Sequence, residues 1–135
     1  MIILDTSALY GLFRADDPMC RTLTKALQEE PLRIVSPYVV AELDYLFLTR
    51  YGVNVEYQVL GALSSGAYEL PTLGISDLSA CAAVIARYRN LPIGVADASL
   101  VVLADRYGTN RIATLDRRHF SALRTMNGEP FQIVP

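Results

Sequence analysis

Short apolar runs alternate along the chain with longer stretches in which apolar residues recur every three or four positions. The short runs are typical of buried strands, and the longer stretches have the period of amphipathic helices. The predicted strands are 2–4, 32–35, a weak one at 68–70, 112–115 and 131–134. The predicted helices are 6–13, 17–29, 36–51, 53–65, 76–89, 95–107 and 117–123.

Capping residues mark several of the predicted helix boundaries. The pairs Asp17-Pro18 and Ser36-Pro37 predict an N-cap followed by the first helical residue, and Ser76 is a further candidate N-cap. Gly52 and Gly108 stand where helices are predicted to end, because glycine adopts the left-handed conformation that follows many helices.

Continuous apolar strands that alternate with helices indicate a parallel sheet with helices on both faces. The chain is therefore predicted to be an α/β protein, with residues 1–135 in a single domain. An apolar fraction of 52% predicts a well-filled core, a surface covered by a second subunit, or both. In such folds, ligand sites form outside the carboxyl ends of the strands.

Four acidic residues lie in apolar segments, at positions where a soluble protein normally has Leu or Val. Asp5 and Asp116 each end a predicted strand, whereas Glu42 and Asp97 lie in apolar stretches of predicted helices and are expected to face inward. Asp and Glu are rarely buried unless they are paired or bind a metal. The four acids together therefore suggest one shared cation, and carboxylate oxygens favour Mg²⁺, with Mn²⁺ as a second possibility.

Each acid also has an ordinary structural explanation. Asp5 and Asp116 could cap the helices that follow them, and Glu42 and Asp97 could each pair with a buried Arg. Asp44 has a comparable apolar setting, and no role is assigned to it. Small hydroxyl residues beside the acids could support the metal site or merely cap helices: Thr6, Ser7 and Thr114.

The basic residues bear on possible partners. A net charge of −2 argues against a generally basic surface for nucleic acid. Eleven of the twelve basic residues are Arg, and five of these lie between Arg106 and Arg124. Since Arg binds phosphate bidentately and stacks on bases, this cluster predicts either an RNA contact or an ordinary solvated face.

Other classes of protein are disfavoured. His119 is the only histidine, expected on a surface turn in a structural role, and no Gly-x-Ser-x-Gly or Gly-x-x-x-x-Gly-Lys-Ser segment is present. A receiver-type phosphoacceptor domain would need a late Lys, and a haloacid-dehalogenase-like phosphatase would need Asp where Ser7 stands. Both cysteines are isolated and predicted to be reduced. No targeting or bilayer-spanning segment is visible, so the cytoplasm is the expected location.

The acids and their neighbours resemble the motifs of PIN-domain ribonucleases, and within them those of VapC-type toxins of bacterial toxin–antitoxin pairs. The resemblance covers essentially the whole chain and rests on residues 3–8, 36–43, 95–100 and 113–120. These segments are Ile-Leu-Asp-Thr-Ser-Ala, Ser-Pro-Tyr-Val-Val-Ala-Glu-Leu, Val-Ala-Asp-Ala-Ser-Leu and Ala-Thr-Leu-Asp-Arg-Arg-His-Phe. Each is weakly specific alone, but the ordered set is strongly specific.

The resemblance implies a three-layer α/β/α fold around a mostly parallel sheet of about five strands. It implies a Mg²⁺- or Mn²⁺-dependent endoribonuclease that cleaves RNA with metal-activated water, and tRNA or rRNA loops are the expected targets. It also implies a homodimer and a VapB-type antitoxin whose C-terminal segment covers the site. The catalytic and metal-binding residues would be Asp5, Glu42, Asp97 and Asp116.

Two contact surfaces are predicted for these partners. Arg117 and Arg118, directly after Asp116, are expected to hold RNA phosphates. The first and third helices have more apolar positions than one buried stripe requires, which predicts either a groove for an antitoxin helix or simple burial in the core. The groove would be lined by Leu9, Leu12, Phe13, Leu43, Leu46 and Phe47. A housekeeping RNA-processing nuclease without an antitoxin, or a catalytically silent binding module of this fold, are the alternatives.

Overall fold

A parallel sheet of four strands organises the chain. The computed structural model describes residues 1–135, and its strands are β1 Ile2–Leu4, β2 Arg33–Val35, β3 Arg111–Ala113 and β4 Gln132–Val134. Their order in the sheet is β2-β1-β3-β4, and every neighbouring pair is parallel. The predicted parallel α/β sheet is therefore confirmed.

The weak strand predicted at 68–70 is reduced to a single parallel bridge between Ile34 and Glu69. The Val35 amide donates to the Glu69 carbonyl at 2.9 Å, and the Glu69 amide donates to the Arg33 carbonyl at 2.8 Å. Glu69 and Leu70 are both exposed. Pairing does not extend beyond this bridge, so the sheet has four strands where about five were expected.

Seven helices connect the strands. They are α1 Thr6–Leu12, α2 Cys20–Leu27, α3 Pro37–Tyr51, α4 Val53–Leu63, α5 Ile75–Arg87, α6 Val95–Tyr107 and α7 Arg117–Phe120. Ile2, Ile3 and Leu4 are fully buried although alternate residues of a strand point to opposite faces. Helices therefore cover both faces of the sheet, as the three-layer prediction requires.

Two predicted helix starts are wrong. The Asp17 carboxylate accepts from the Met19 amide at 2.7 Å, so Asp17 and Pro18 form a turn before α2 rather than its first residues. Helix α5 begins at Ile75, and the Asp77 carboxylate accepts from the Gly74 amide at 2.8 Å. The predicted cap at Ser36 is confirmed, because its hydroxyl accepts from the Tyr38 amide at 3.2 Å.

Helix α6 lies deepest in the molecule. Eight of its thirteen residues are buried, from Ala96 to Ala104, and only its first turn reaches the end of the sheet. The buried Ser99 hydroxyl donates to the Ala96 carbonyl at 2.6 Å and lies 2.7 Å from the Ser36 hydroxyl at the start of α3. This contact fixes the beginnings of α3 and α6 next to each other, beside the carboxyl ends of the strands.

Neither cysteine is in a disulfide, in agreement with the prediction. Among the seven helices, none combines the length and apolar character needed to cross a membrane.

Candidate active site

The carboxyl ends of β1 and β3 open into a cavity of about 430 Å³ that we call the acidic pocket. Helices α3 and α6 complete its walls. All four acids predicted as metal ligands line it, together with two of the three predicted support residues, Thr6 and Ser7. The acids are Asp5, Glu42, Asp97 and Asp116.

Asp5 is the most deeply placed acid, with 6% of its surface exposed. It follows β1 directly, but its carboxylate does not cap α1. Instead, the Ser7 hydroxyl donates to Asp5 Oδ2 at 2.8 Å, and the Thr114 hydroxyl donates to the same oxygen at 2.7 Å from the end of the adjacent strand. The other carboxylate oxygen, Oδ1, has no hydrogen-bond partner within the protein and remains available to a ligand.

The three hydroxyl residues beside the acids have different environments. Ser7 and Thr114 lie 3.1 Å apart at their oxygens, and the Leu115 amide donates to the Ser7 hydroxyl at 2.9 Å, which ties β3 to α1. Thr6 is 5% exposed, and its hydroxyl has no partner. An orphaned buried hydroxyl beside the pocket is consistent with a ligand that binds there.

Asp97 lies in the first turn of α6, and 18% of its side chain is exposed. Burial raises the pKa of its carboxyl to about 6, with a further upward contribution from the negative charges of Asp5 and Glu42. His119 opposes this shift, because its Nδ1 lies 2.7 Å from Asp97 Oδ2. Burial remains the largest cause, so Asp97 has a carboxyl that is held away from water beside two other acids.

His119 was expected on a surface turn and instead lines the acidic pocket. Helix α7 turns back over the site after Asp116, which brings the imidazole onto Asp97. In the sequence, the only signal for this contact is that His119 follows Asp116 by three residues, about one helical turn. This spacing places His119 on the side of α7 that carries Asp116, and therefore near the other acids.

Asp116 is the N-cap of α7, as its alternative structural explanation predicted. Its Oδ1 accepts from the Arg118 amide at 3.2 Å and from Arg118 Nε at 3.0 Å, and its Oδ2 accepts from Arg118 Nη2 at 2.8 Å. These hydrogen bonds lower the pKa of the Asp116 carboxyl to about 2. Both oxygens are thus engaged, which makes Asp116 the least available of the four acids.

Glu42 is exposed, so the expectation that it faces inward is wrong. The buried positions of α3 are Val39, Leu43 and Phe47. Glu42 is next to Leu43 in the sequence and is therefore rotated by about 100° from this stripe, which places it on the lip of the acidic pocket. It accepts no hydrogen bond within the protein.

The donor chemistry of the pocket fits a hard divalent cation, since four carboxylates converge and no cysteine is present. No three His, Cys, Asp or Glu side chains are already arranged as a finished ligand set. Asp97 is turned toward His119, and Asp116 is turned toward Arg118. Asp5 and Glu42 retain free oxygens.

The predicted RNA contacts of Arg117 and Arg118 lie outside the acidic pocket. Arg118 is occupied by Asp116, and Arg117 Nη2 donates to the Pro135 carbonyl at 2.6 Å. The arginine that does line the pocket is Arg50, together with Tyr10. Sequence reasoning missed both, although Arg50 lies eight residues after Glu42 on the same helix.

The predicted antitoxin groove is wrong at half of its positions. Leu9, Leu43 and Phe47 are fully buried, so they belong to the core, as the alternative of simple burial predicted. The remaining three are partly buried: Leu12, Phe13 and Leu46. Six of the twelve large apolar side chains that are exposed lie on other positions of α3 and α4, namely Tyr45, Leu48, Tyr51, Val53, Tyr57 and Leu60.

Comparison with known proteins places this geometry in a family context. The family model described as PIN domain matches residues 2–125. Ribonuclease VapC26 of Mycobacterium tuberculosis is 47% identical over 135 residues, an alignment that covers 99% of this chain and the whole of that protein.

Solved structures share the fold at low sequence identity. The crystal structure of the Mycobacterium tuberculosis toxin VapC20, described as cleaving the sarcin-ricin loop, has a TM-score of 0.80 at 18% identity and covers 87% of this chain and 92% of its own. A toxin–antitoxin complex from Klebsiella pneumoniae has a TM-score of 0.71 at 18% identity and covers 100% of this chain and 97% of its own.

Proposed function

Because the chain belongs to the PIN-domain family and, within it, to the VapC-type proteins, we propose that it is the ribonuclease toxin of a toxin–antitoxin pair. We further propose that it cleaves RNA in the cytoplasm with a divalent cation, Mg²⁺ or Mn²⁺, held in the acidic pocket. The VapC26 relative, a named ribonuclease of matching length, supports the activity. The four acids of the acidic pocket support the use of a divalent cation.

The observation that carries the proposal is the convergence of four acids from distant parts of the sequence. Asp5 follows β1, Glu42 lies on α3, Asp97 lies on α6 and Asp116 follows β3. Clustered carboxylates destabilise the fold unless a cation neutralises them, so this arrangement needs a functional reason. The pKa of the Asp97 carboxyl is raised to about 6, mainly by burial and further by the negative charges of Asp5 and Glu42, which agrees with acids held close together.

The residues of the pocket have distinct proposed tasks. Asp5 would offer Oδ1 to the cation while Ser7 and Thr114 hold Oδ2. Asp97 would be a second ligand, and Glu42, exposed on the lip, would bind through water or orient the attacking water. When bound, the cation supplies charge stabilisation to the phosphate and makes a coordinated water more acidic.

Cleavage of RNA with and without metal tests this proposal. The wild-type chain is incubated with total tRNA and rRNA in Mg²⁺, in Mn²⁺ and in EDTA, beside Asp5→Asn, Asp97→Asn and the control Asp16→Asn. Asp16 is exposed and lies outside the pocket, so its variant should cleave like wild type. Cleavage that persists in EDTA or in Asp5→Asn would overturn the metal assignment, and no cleavage by wild type would indicate a silent binding module.

The RNA target is proposed only as a class. Single-stranded loops of tRNA or rRNA are the expected substrates, because sequence-specific recognition of RNA acts mainly on unpaired bases. The fold relative VapC20 is described as acting on one such loop. Mapping the 5′ ends that appear after induced expression identifies the loop, and cuts spread evenly over duplex and loop regions would contradict the proposal.

An antitoxin and a homodimer complete the proposal. Six exposed apolar side chains lie on the neighbouring helices α3 and α4, and exposed apolar surface of this kind is where a partner protein can bind. An adjacent reading frame for a DNA-binding antitoxin, and a stable complex after co-expression, are expected. A chain that is expressed alone as a harmless, active monomer would favour a housekeeping nuclease.

A further inference from the structure

Arg50 is the only arginine that lines the acidic pocket. It lies on α3 at the end of a row formed by Glu42, Leu46 and Arg50, which are spaced by four residues and all border the pocket. Residues four apart share a helix face, so this row forms one continuous wall. Glu42 is the acidic end of the wall, and Arg50 is the basic end.

The Arg50 guanidinium has no acidic partner. Its one polar contact is with a neutral group, because Nη1 lies 3.3 Å from the Tyr10 hydroxyl and donates to it. Four other arginines are paired with carboxylates and cannot serve an incoming anion as readily: Arg14 with Asp17, Arg106 with Asp77, Arg111 with Glu30 and Arg118 with Asp116.

Tyr10 is held firmly enough to orient Arg50. The Arg14 guanidinium stacks over its ring at 3.9 Å from the centroid, and the Phe47 ring packs at a centroid distance of 5.0 Å. Phe47 is fully buried, so the tyrosine ring is fixed from the core side. Its hydroxyl therefore meets Arg50 from a defined direction.

We propose that Arg50, oriented by Tyr10, binds a phosphate of the RNA strand next to the scissile phosphate. This subsite rests on the proposed ribonuclease function. A guanidinium offers a bidentate pair of donors to a phosphate, and Arg50 retains donors that no carboxylate occupies. A strand that enters an acidic pocket needs such a cation, because the acids repel every phosphate that the metal does not bind.

The spacing along α3 assigns Arg50 to a flanking phosphate. Glu42 and Arg50 are eight residues apart, which places their Cα atoms about 12 Å apart at about 1.5 Å per residue. The scissile phosphate belongs with the acids at the Glu42 end. Arg50 therefore affects how tightly RNA binds more than how fast the bond breaks.

Two measurements on Arg50→Gln test the subsite. Apparent kcat and KM are measured with a fluorophore–quencher oligoribonucleotide pool of random sequence. Binding of a fluorescein-labelled pool is measured by anisotropy in the Asp5→Asn background over a range of salt. Arg89→Gln is the matched control, because Arg89 is exposed and has no contact with the pocket.

The expected result is a KM raised by roughly tenfold in Arg50→Gln with kcat within about twofold, as for the loss of one charge-assisted hydrogen-bonded contact. The slope of log affinity against log salt should fall by about 0.7, the value for one single-stranded phosphate. Arg50→Lys should retain the salt slope but not the full affinity. Tyr10→Phe, which keeps the ring contacts, should raise KM less than Arg50→Gln does.

The outcomes separate the subsite from the function. If Arg50→Gln matches Arg89→Gln in KM and salt slope while wild type cleaves, the subsite alone is overturned. If Arg50→Gln lowers kcat and leaves KM unchanged, Arg50 acts on the reacting phosphate, and the flanking assignment is overturned. If the wild-type protein binds and cleaves none of these RNAs, neither the oligoribonucleotide pools nor tRNA and rRNA, the proposed ribonuclease function is overturned. The subsite is then overturned with it.

Discussion

The carboxylate of Asp5 is held through only one of its oxygens. Ser7 and Thr114 both donate to Oδ2, from α1 and from the end of β3 respectively, and Oδ1 is left toward the pocket. Thr114 is 1% exposed, so its hydrogen bond to Asp5 forms in an environment with little competition from water. The position of Asp5 therefore depends on a residue more than a hundred positions away in the sequence.

Replacing Thr114 with Val keeps the shape of the side chain and removes this hydrogen bond. Cleavage is expected to fall by roughly 10- to 100-fold, the usual effect of losing a group that orients a metal ligand. The fold should lose about 1–3 kcal/mol, because the Asp116 amide, which donates to the Thr114 hydroxyl at 3.1 Å, also loses its partner. Thr22→Val, at an exposed threonine, is the control for both the cleavage assay and thermal unfolding. Equal behaviour of the two variants would contradict the role of Thr114.

Asp97 makes the stability of the metal-free protein depend on pH. Its pKa is raised in the folded state to about 6 from an ordinary value of 3.8, mainly by burial. The folded state therefore binds this proton more tightly than the unfolded state does, and the associated stability is present at low pH and lost as pH rises through about 6. Between pH 7 and pH 5 this group should add roughly 1 kcal/mol to the free energy of unfolding.

Thermal unfolding in EDTA checks this effect. The wild-type protein is compared with Asp97→Asn at pH 5 and at pH 7, and the difference between the two proteins should change by roughly 1 kcal/mol in favour of wild type at pH 5. Asn cannot titrate, so the variant supplies the reference for the groups that change charge over this range without contacting Asp97. A difference that does not vary with pH would show that Asp97 is ionised normally.

At the scale of elements, the position of α1 against the rest of the fold depends on a glycine. A Cβ at Gly11 would lie 3.0 Å from Leu23 Cδ1 and 3.1 Å from Leu115 Cδ1. Leu23 is fully buried on α2, and Leu115 immediately precedes Asp116. The absence of a side chain lets α1 lie close to both segments.

Two Gly→Ala variants should therefore change stability in opposite directions. Gly11→Ala should lower the free energy of unfolding by about 1 kcal/mol, because overpacking outweighs the better helix propensity of Ala. Gly61→Ala, on the exposed face of α4 with nothing within 4 Å of the added carbon, should raise it by about 0.5–1 kcal/mol. Chemical denaturation measures both. If both variants raise the free energy of unfolding, α1 moves away from Leu23 and Leu115 at little cost.

The elements themselves were largely predictable, because local patterns determine them. Apolar runs predicted all four strands, and the glycines at 52 and 108 mark the observed ends of α3 and α6. The starts of α2 and α5 were predicted wrongly because alternative caps compete: Asp17 closes a turn, and Asp77 reaches back to Gly74. Both carboxylates are also paired with arginines, Asp17 with Arg14 three positions before it and Asp77 with the distant Arg106.

At the scale of the whole molecule, the candidate site was predictable in its acids and not in its other charged groups. Topology requires that Asp5 and Asp116 meet, because β1 and β3 are adjacent and parallel. The contacts of His119 with Asp97 and of Arg50 with Tyr10 join residues separated by 22 and 40 positions. No local pattern encodes such pairs. The pairing of Arg118 with Asp116 spans only two positions, and the sequence alone did not decide between this partner and an RNA phosphate.

The concentration of acids in one pocket predicts that a divalent cation stabilises the whole fold. Ligand binding to the folded state alone adds RT ln(1 + [L]/Kd), which is about 1.4 kcal/mol when the free cation is at ten times its Kd and corresponds to a rise in Tm of roughly 4 °C or more. The wild type and Asp16→Asn should both show this rise in millimolar Mg²⁺ at constant ionic strength, whereas Asp5→Asn should not. An equal rise in all three proteins would mean that Mg²⁺ acts on the surface in general, since the net charge of −2 is shared by the whole molecule and the proposed binding is confined to the pocket.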